Sequence, residues 1–190
     1  MWILDHEIPG KYTNLRAHSS LAIASISSKN ELLISSGISI IDKIPISKSI
    51  TSDEWHQENK HLLLAWDDAS ISVYDANDKS MVDGKLHSSP VTIMEWLSEG
   101  SKFVTVDTDN HVAVWKYDAR KRLSVLVEYR MSHLIAKILI ISGSSKDPMT
   151  FYMVCNDGIV YYADDSGHCQ QLSQMFPNNI REIYHIPAKS

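Results

Sequence analysis

A histidine, a hydroxyl and a carboxylate stand in order along the middle of the chain as His87, Thr105 and Asp109, followed by Trp115. Imidazole, hydroxyl and carboxylate are the residue types of a nucleophilic triad. Their setting argues against turnover. Thr105 sits inside the apolar run KFVTVD, and no glycine-flanked turn presents it as a nucleophile. The nine histidines are scattered from His6 to His185, none at the short spacing of a zinc site, and Cys155 and Cys169 form no CxxC pair. DTDNH from Asp107 opens like a calcium loop, but Val112 replaces the glycine at its sixth position and Asp118 the glutamate at its twelfth. SGSSK from Ser142 lacks the first glycine of a phosphate-binding loop. These residues predict no catalytic site, no metal and no cofactor.

The elements that carry them are short strands. An eight-residue pattern, Asp followed by alternating apolar positions, occurs as DASISVYD from Asp68, DNHVAVWK from Asp109 and DGIVYYAD from Asp157. In the second copy Val112 and Val114 alternate with His111, Ala113 and Trp115, the period of a pleated strand with two different faces. The runs HLLLAW, KFVTVD and TFYMVC precede the three aspartates, which places each Asp at a tight turn between antiparallel strands. The copies start 41 and 48 residues apart, close to the spacing of about 40 to 45 for four-stranded propeller blades, and they resemble WD40 repeats.

Around these turns the sequence predicts an all-β chain of WD40-type blades, incomplete at about four. Residues 1–190 then form one partial propeller, with approximate blades 9–48, 49–86, 87–130 and 131–176 and a further blade starting over 177–190. The strands of the third blade are VTIMEWL, KFVTVDTD, HVAVWKYD and LSVLVEYR; Trp55 lies 41 residues before Trp96 on the equivalent first strand. ILDHEI at the start and NIREIYHIP near the end read as additional strands, and ISGSSKDPMT as a ten-residue loop of the fourth blade. The cationic ARKR from Ala119 reads as a solvated hairpin tip. The five tryptophans read as blade packing rather than a ligand cage.

Bulk composition narrows the function classes. A net charge of −5 and no aromatic–basic motif argue against nucleic acid as a partner. The longest apolar runs fall far short of the ~20 residues that span a bilayer, so membrane insertion is not expected, and two cysteines make no disulfide framework, which suggests a cytoplasmic chain.

In order, LDHEI, HLLLAWDDASISVYD, HSSPVTIMEWLSEGSKFVTVDTDNHVAVWKYDARKR, MSHLIAK and FYMVCNDGIVYYADDSGHCQQL resemble the amino-terminal WD40 propeller of the intraflagellar transport protein 140 family. The resemblance implies a buried tetrad in the third blade, Trp115 bonding Thr105, Thr105 bonding His87 and His87 bonding Asp109. It implies a non-enzymatic scaffold within intraflagellar transport complex A, acting in retrograde transport and cilium assembly, at the ciliary base and along the axoneme. The partners implied are the other complex A subunits and cargo adaptors. Ending inside a first propeller, the chain reads as a truncated copy. Two other readings stand beside this one: a WD40 scaffold of a vesicle coat or ubiquitin-ligase adaptor, and a propeller enzyme with its site at the central channel.

Overall fold

A computed structural model describes residues 14–18, 23–28, 30–37 and 39–172. The expected strands ILDHEI and NIREIYHIP lie outside these residues. Sixteen strands form four sheets of four, each in simple up-and-down order. The first blade holds β1 (Asn14–Ala17), β2 (Ile23–Ser27), β3 (Glu31–Ser36) and β4 (Ser39–Pro45). The second holds β5 (Ile50–Trp55), β6 (His61–Trp66), β7 (Ser70–Asp75) and β8 (Ser80–Lys85). The third holds β9 (Val91–Trp96), β10 (Lys102–Asp107), β11 (His111–Tyr117) and β12 (Leu123–Arg130). The fourth holds β13 (Ile135–Ser142), β14 (Thr150–Cys155), β15 (Val160–Asp164) and β16 (Cys169–Gln171). The fold is all-β, an incomplete WD40-type propeller.

The two-faced alternation of the middle strands is what stacks the blades. On β11, Ala113 and Trp115 enter one core with Leu63, Ala65, Ile71 and Val73 of the second blade. Val112 and Val114, pointing the other way, enter a second core with Phe151, Met153 and Cys155 of the fourth. Strand β6 divides likewise, with Leu62, Leu64 and Trp66 turned to a third core containing Ile34 of the first blade. Strands β6 and β11 are thus apolar on both faces, because each face belongs to a different inter-blade core. The outer strands β8 and β12 alternate between half-buried and exposed, as strands with one face in water do.

The first strands β1, β5, β9 and β13 lie side by side from blade to blade. Tryptophan locks them together: the Trp55 indole donates to the Arg16 carbonyl at 3.2 Å, and the Trp96 indole to the Glu54 carbonyl at 3.3 Å. The 41-residue interval between these tryptophans is one blade. Two expectations need correcting. Strand β13 runs on to Ser142, so the loop expected from Ile141 is shorter than ten residues; its apolar run LII continues the ladder against β14. In ARKR, Lys121 is not merely solvated. Its ammonium bonds Asp75 at 2.7 Å and also Asp78, both at the neighbouring hairpin of the second blade.

Candidate functional site

One rim of the molecule is built three times over from the same parts. In blades two to four the turn between the second and third strands closes with a backbone bond of 3.1 Å, from Ala69 to Trp66, Asn110 to Asp107 and Gly158 to Cys155. The residue ahead of each repeat aspartate donates its N–H to the loop that enters the blade: Asp67 to Ser49 at 2.9 Å, Thr108 to Pro90 at 3.0 Å and Asn156 to Leu134 at 2.9 Å. The aspartates then tie the same two segments by side chain. Asp68 pairs with Lys48 at 2.8 Å, Asp109 accepts from Ser89 at 2.5 Å and Asp157 meets His133 at 2.6 Å. The partner differs in chemistry each time, while the geometry is constant.

Each of these turns also demands a left-handed residue directly after its aspartate. Ala69 takes φ 65°, Asn110 59° and Gly158 87°. Glycine and asparagine adopt that region at little cost; alanine does not. Asp67, Thr108 and Asn156 stand exposed at the tips of the three turns, so the rim offers a row of polar, rigidly held loops.

Beneath the rim, the third blade holds a buried polar network. The Trp115 indole donates to Thr105 Oγ1 at 2.8 Å, Thr105 lies 2.7 Å from His87 Nε2, and His87 Nδ1 lies 3.0 Å from Asp107 Oδ2. All four residues are buried. The acid is Asp107 and not Asp109, which is exposed on the rim with Ser89. The reason is strand parity. Residues 105 and 107 share one face of β10, so one imidazole reaches both, whereas residue 109 lies past the strand in the turn. The sequence carries the signal in TVD, where hydroxyl and acid are two apart, while the recurring Asp marks the turn beyond the strand. Asp107 Oδ1 meanwhile accepts the backbone N–H groups of Asp109 and His111 at 2.9 and 3.0 Å. Burial lowers the pKa of His87, against the opposing pull of Asp107.

The hydroxyl in this network has no free approach. Thr105 is fully buried and its oxygen is engaged by both the indole and the imidazole, which suits support of the fold rather than attack on a substrate. The second blade solves the same packing problem differently: the Trp66 indole donates to Ser72 at 2.7 Å, and Ser72 donates to Asp83 at 2.6 Å. Tyr74, at the position matching Trp115, donates to Asp42 of the first blade at 2.7 Å. Nothing in the local pattern of the sequence marks Ser72, Asp83 or Asp42 as members of such a network.

Along the innermost strands runs a chain of charges, Arg16, Glu54, Glu95 and Lys137, one from each blade. Arg16 lies 3.9 Å from Glu54. Burial raises the Glu54 pKa, opposed by Arg16. Burial also pushes Glu95 up to about 7, with Glu54 adding to the rise and Lys137 opposing it. A channel enzyme would draw on such groups, and these four balance in sign.

The histidines are less scattered in space than in sequence. Strand pairing brings His111 beside Asp107, and the loop before β9 delivers His87 to the same point, so potential ligand atoms of all three lie within 4.8 Å of one another. No helix among the described residues is long and apolar enough to cross a membrane.

Residues 6–147 match the family described as the IFT140 first beta-propeller, which is three-quarters of the chain and includes the first two repeats, the rim turns of the second and third blades and the buried network. The chain belongs to that family. No curated protein matches it. Among solved structures it is similar to the Cps50 (Swd1) beta-propeller domain of Myceliophteria thermophila, at 9% identity and a TM-score of 0.60. That likeness covers 83% of this chain and 57% of the other, and it shows the fold alone.

Proposed function

We propose that this member of the IFT140 first-propeller family is a non-enzymatic interaction scaffold of intraflagellar transport complex A, acting in retrograde ciliary transport and cilium assembly. The family match over residues 6–147 carries the reading. The rim supports it. Three turns fixed by two backbone-and-side-chain ties apiece present Asp67, Thr108 and Asn156 to solvent, and rigid loops lose little entropy when a partner binds. Partners would be the other complex A subunits and cargo adaptors, met in the cytoplasm, at the ciliary base and along the axoneme.

The test is proximity labelling and pull-down of the tagged full-length protein in a ciliated cell. Recovery of complex A subunits is the expected result. Replacing Asp67, Thr108 and Asn156 together should reduce that recovery while leaving the melting temperature unchanged, whereas replacing His87 should act through stability. Recovery of coat or ubiquitin-ligase subunits without ciliary partners would overturn the assignment, as would a substrate turnover lost on changing Glu54 or Glu95.

A further inference from the structure

The set His87, Asp107 and His111 converges from three pieces of chain: the loop ahead of β9, the end of β10 and the start of β11. All three side chains are buried, at 0%, 0% and 3% exposure. Oδ1 of Asp107 is used by two backbone N–H groups and Oδ2 faces His87 Nδ1 at 3.0 Å. On its other side Oδ2 faces His111 Nδ1 at 3.8 Å, too far for a hydrogen bond.

His111 Nδ1 is the informative atom. It is buried and has no hydrogen-bond partner among the described residues. The opposite nitrogen, Nε2, lies 2.8 Å from Glu128 Oε2. An ionised carboxylate can only accept, so Nε2 carries the hydrogen, and in a neutral imidazole Nδ1 is left as a bare lone pair. A lone pair of His111 and one of Asp107 therefore face each other across a dry gap, an arrangement that a cation between them would satisfy.

We propose that His87 Nδ1, Asp107 Oδ2 and His111 Nδ1 bind a divalent transition metal of the zinc type through three protein ligands. Two imidazoles and a carboxylate are ligands suited to zinc rather than to calcium or magnesium, which take oxygen. Ligand atoms around a tetrahedral zinc stand about 3.3 Å apart, given metal–ligand bonds of about 2.0 to 2.2 Å. The 3.0 and 3.8 Å separations bracket that value. Both imidazoles also have the outer support that metal-ligating histidines carry, Glu128 on His111 and Thr105 on His87. On binding, His87 moves its hydrogen from Nδ1 to Nε2, the Thr105 hydroxyl turns its own hydrogen away from Nε2 and accepts from it instead, alongside the Trp115 indole, and the freed Nδ1 lone pair goes to the metal. His87 stays neutral throughout. The metal would cross-link the entry loop of the third blade to its hairpin, directly under the Ser89–Asp109 tie.

The rival cation is a proton, making His111 an imidazolium between Asp107 and Glu128. Titrating the chelator-treated chain with Co²⁺ and then Zn²⁺ separates the two. Expected are one equivalent of Co²⁺ per chain, visible absorption bands of a low-coordinate nitrogen and oxygen site, displacement by Zn²⁺ and a higher melting temperature. His111→Gln should abolish this uptake. Glu128→Gln, which still accepts from Nε2 and lies half-exposed, should weaken it by about 10- to 100-fold without changing the circular dichroism. No stoichiometric uptake by the folded wild-type chain overturns the site, as does uptake that survives His111→Gln, which would place the metal on surface groups such as His133 and Asp157. Should His111→Gln fail to fold, unchanged affinity in Glu128→Gln overturns it alone. A His111 ring that keeps protons on both nitrogens in excess Zn²⁺, read by nitrogen NMR, does the same.

Discussion

Lys102 of the third blade reaches Asp165 of the fourth at 2.7 Å, with both side chains buried and the Asp147 carbonyl accepting from the same ammonium at 2.8 Å. It is the third bridge of one kind. Lys79 reaches the Ile41 carbonyl across the first and second blades, and Lys121 reaches Asp75 across the second and third. Adjacent blades are thus joined by apolar cores and by a lysine near their edges.

A buried pair is costly to break and cheap to replace. Asp165→Ala should destabilise the chain by about 3 kcal/mol, because it strands the Lys102 charge in a dry site. The double variant Lys102→Met with Asp165→Leu should recover most of that loss. Urea unfolding of the wild type and the variants measures both.

The two aspartates of the third blade should separate cleanly. Asp107→Ala removes the acceptor of two backbone N–H groups and of His87, so a loss of about 3 kcal/mol is expected from unsatisfied buried donors. Asp109→Ala removes one exposed bond to Ser89 and should cost no more than about 1 kcal/mol. Thermal melts of the pair decide whether the buried acid is Asp107. Equal losses would return the role to Asp109.

Blade count, strand order and turn positions were legible because they are written in short-range signals. Period-two alternation in HVAVWKYD and the recurring Asp mark strand and turn without reference to any distant residue. The acid of the polar network was legible in type but misplaced by two positions, since the recurring Asp marks a turn and parity marks a face. What depends on pairing between segments left no such mark. His111 meets Asp107 across a hairpin and Glu128 across a second strand pair, and Lys102 meets a residue 63 positions away. Nothing local in KFVTVD distinguishes a buried lysine from an exposed one.

At the turn of the second blade, Ala69 holds φ 65° where the fourth blade has glycine. Relief of that strain by Ala69→Gly is worth more than the unfolded-state entropy glycine adds, so a net gain of about 0.5 to 1 kcal/mol is expected. The reverse change, Gly158→Ala, should lose a similar amount or more, as φ there is 87°. Chemical denaturation of the two single variants provides the check, with opposite shifts in midpoint.

Glu95 should make stability fall as pH rises towards neutrality. In the unfolded chain its carboxyl loses its proton near 4.5, but in the folded chain burial and the nearby Glu54 hold the proton to about 7. Between those values the folded state binds more protons than the unfolded state, so its favourable contribution is fully present below about 4.5, is lost progressively as pH rises to about 7, and changes no further above that. Above that point the chain must bury a charge that Lys137 only partly offsets. Glu95→Gln removes the charge and keeps the shape. The variant should be more stable than the wild type at pH 8 by about 1 to 2 kcal/mol, after allowing for solvent screening of a group that is not fully enclosed. At pH 5, just above the unfolded value, the difference should be clearly smaller, because only the first part of that loss has occurred. Urea midpoints at the two pH values measure the difference, and a gain of the same size at both would show that Glu95 acts through packing rather than through its charge.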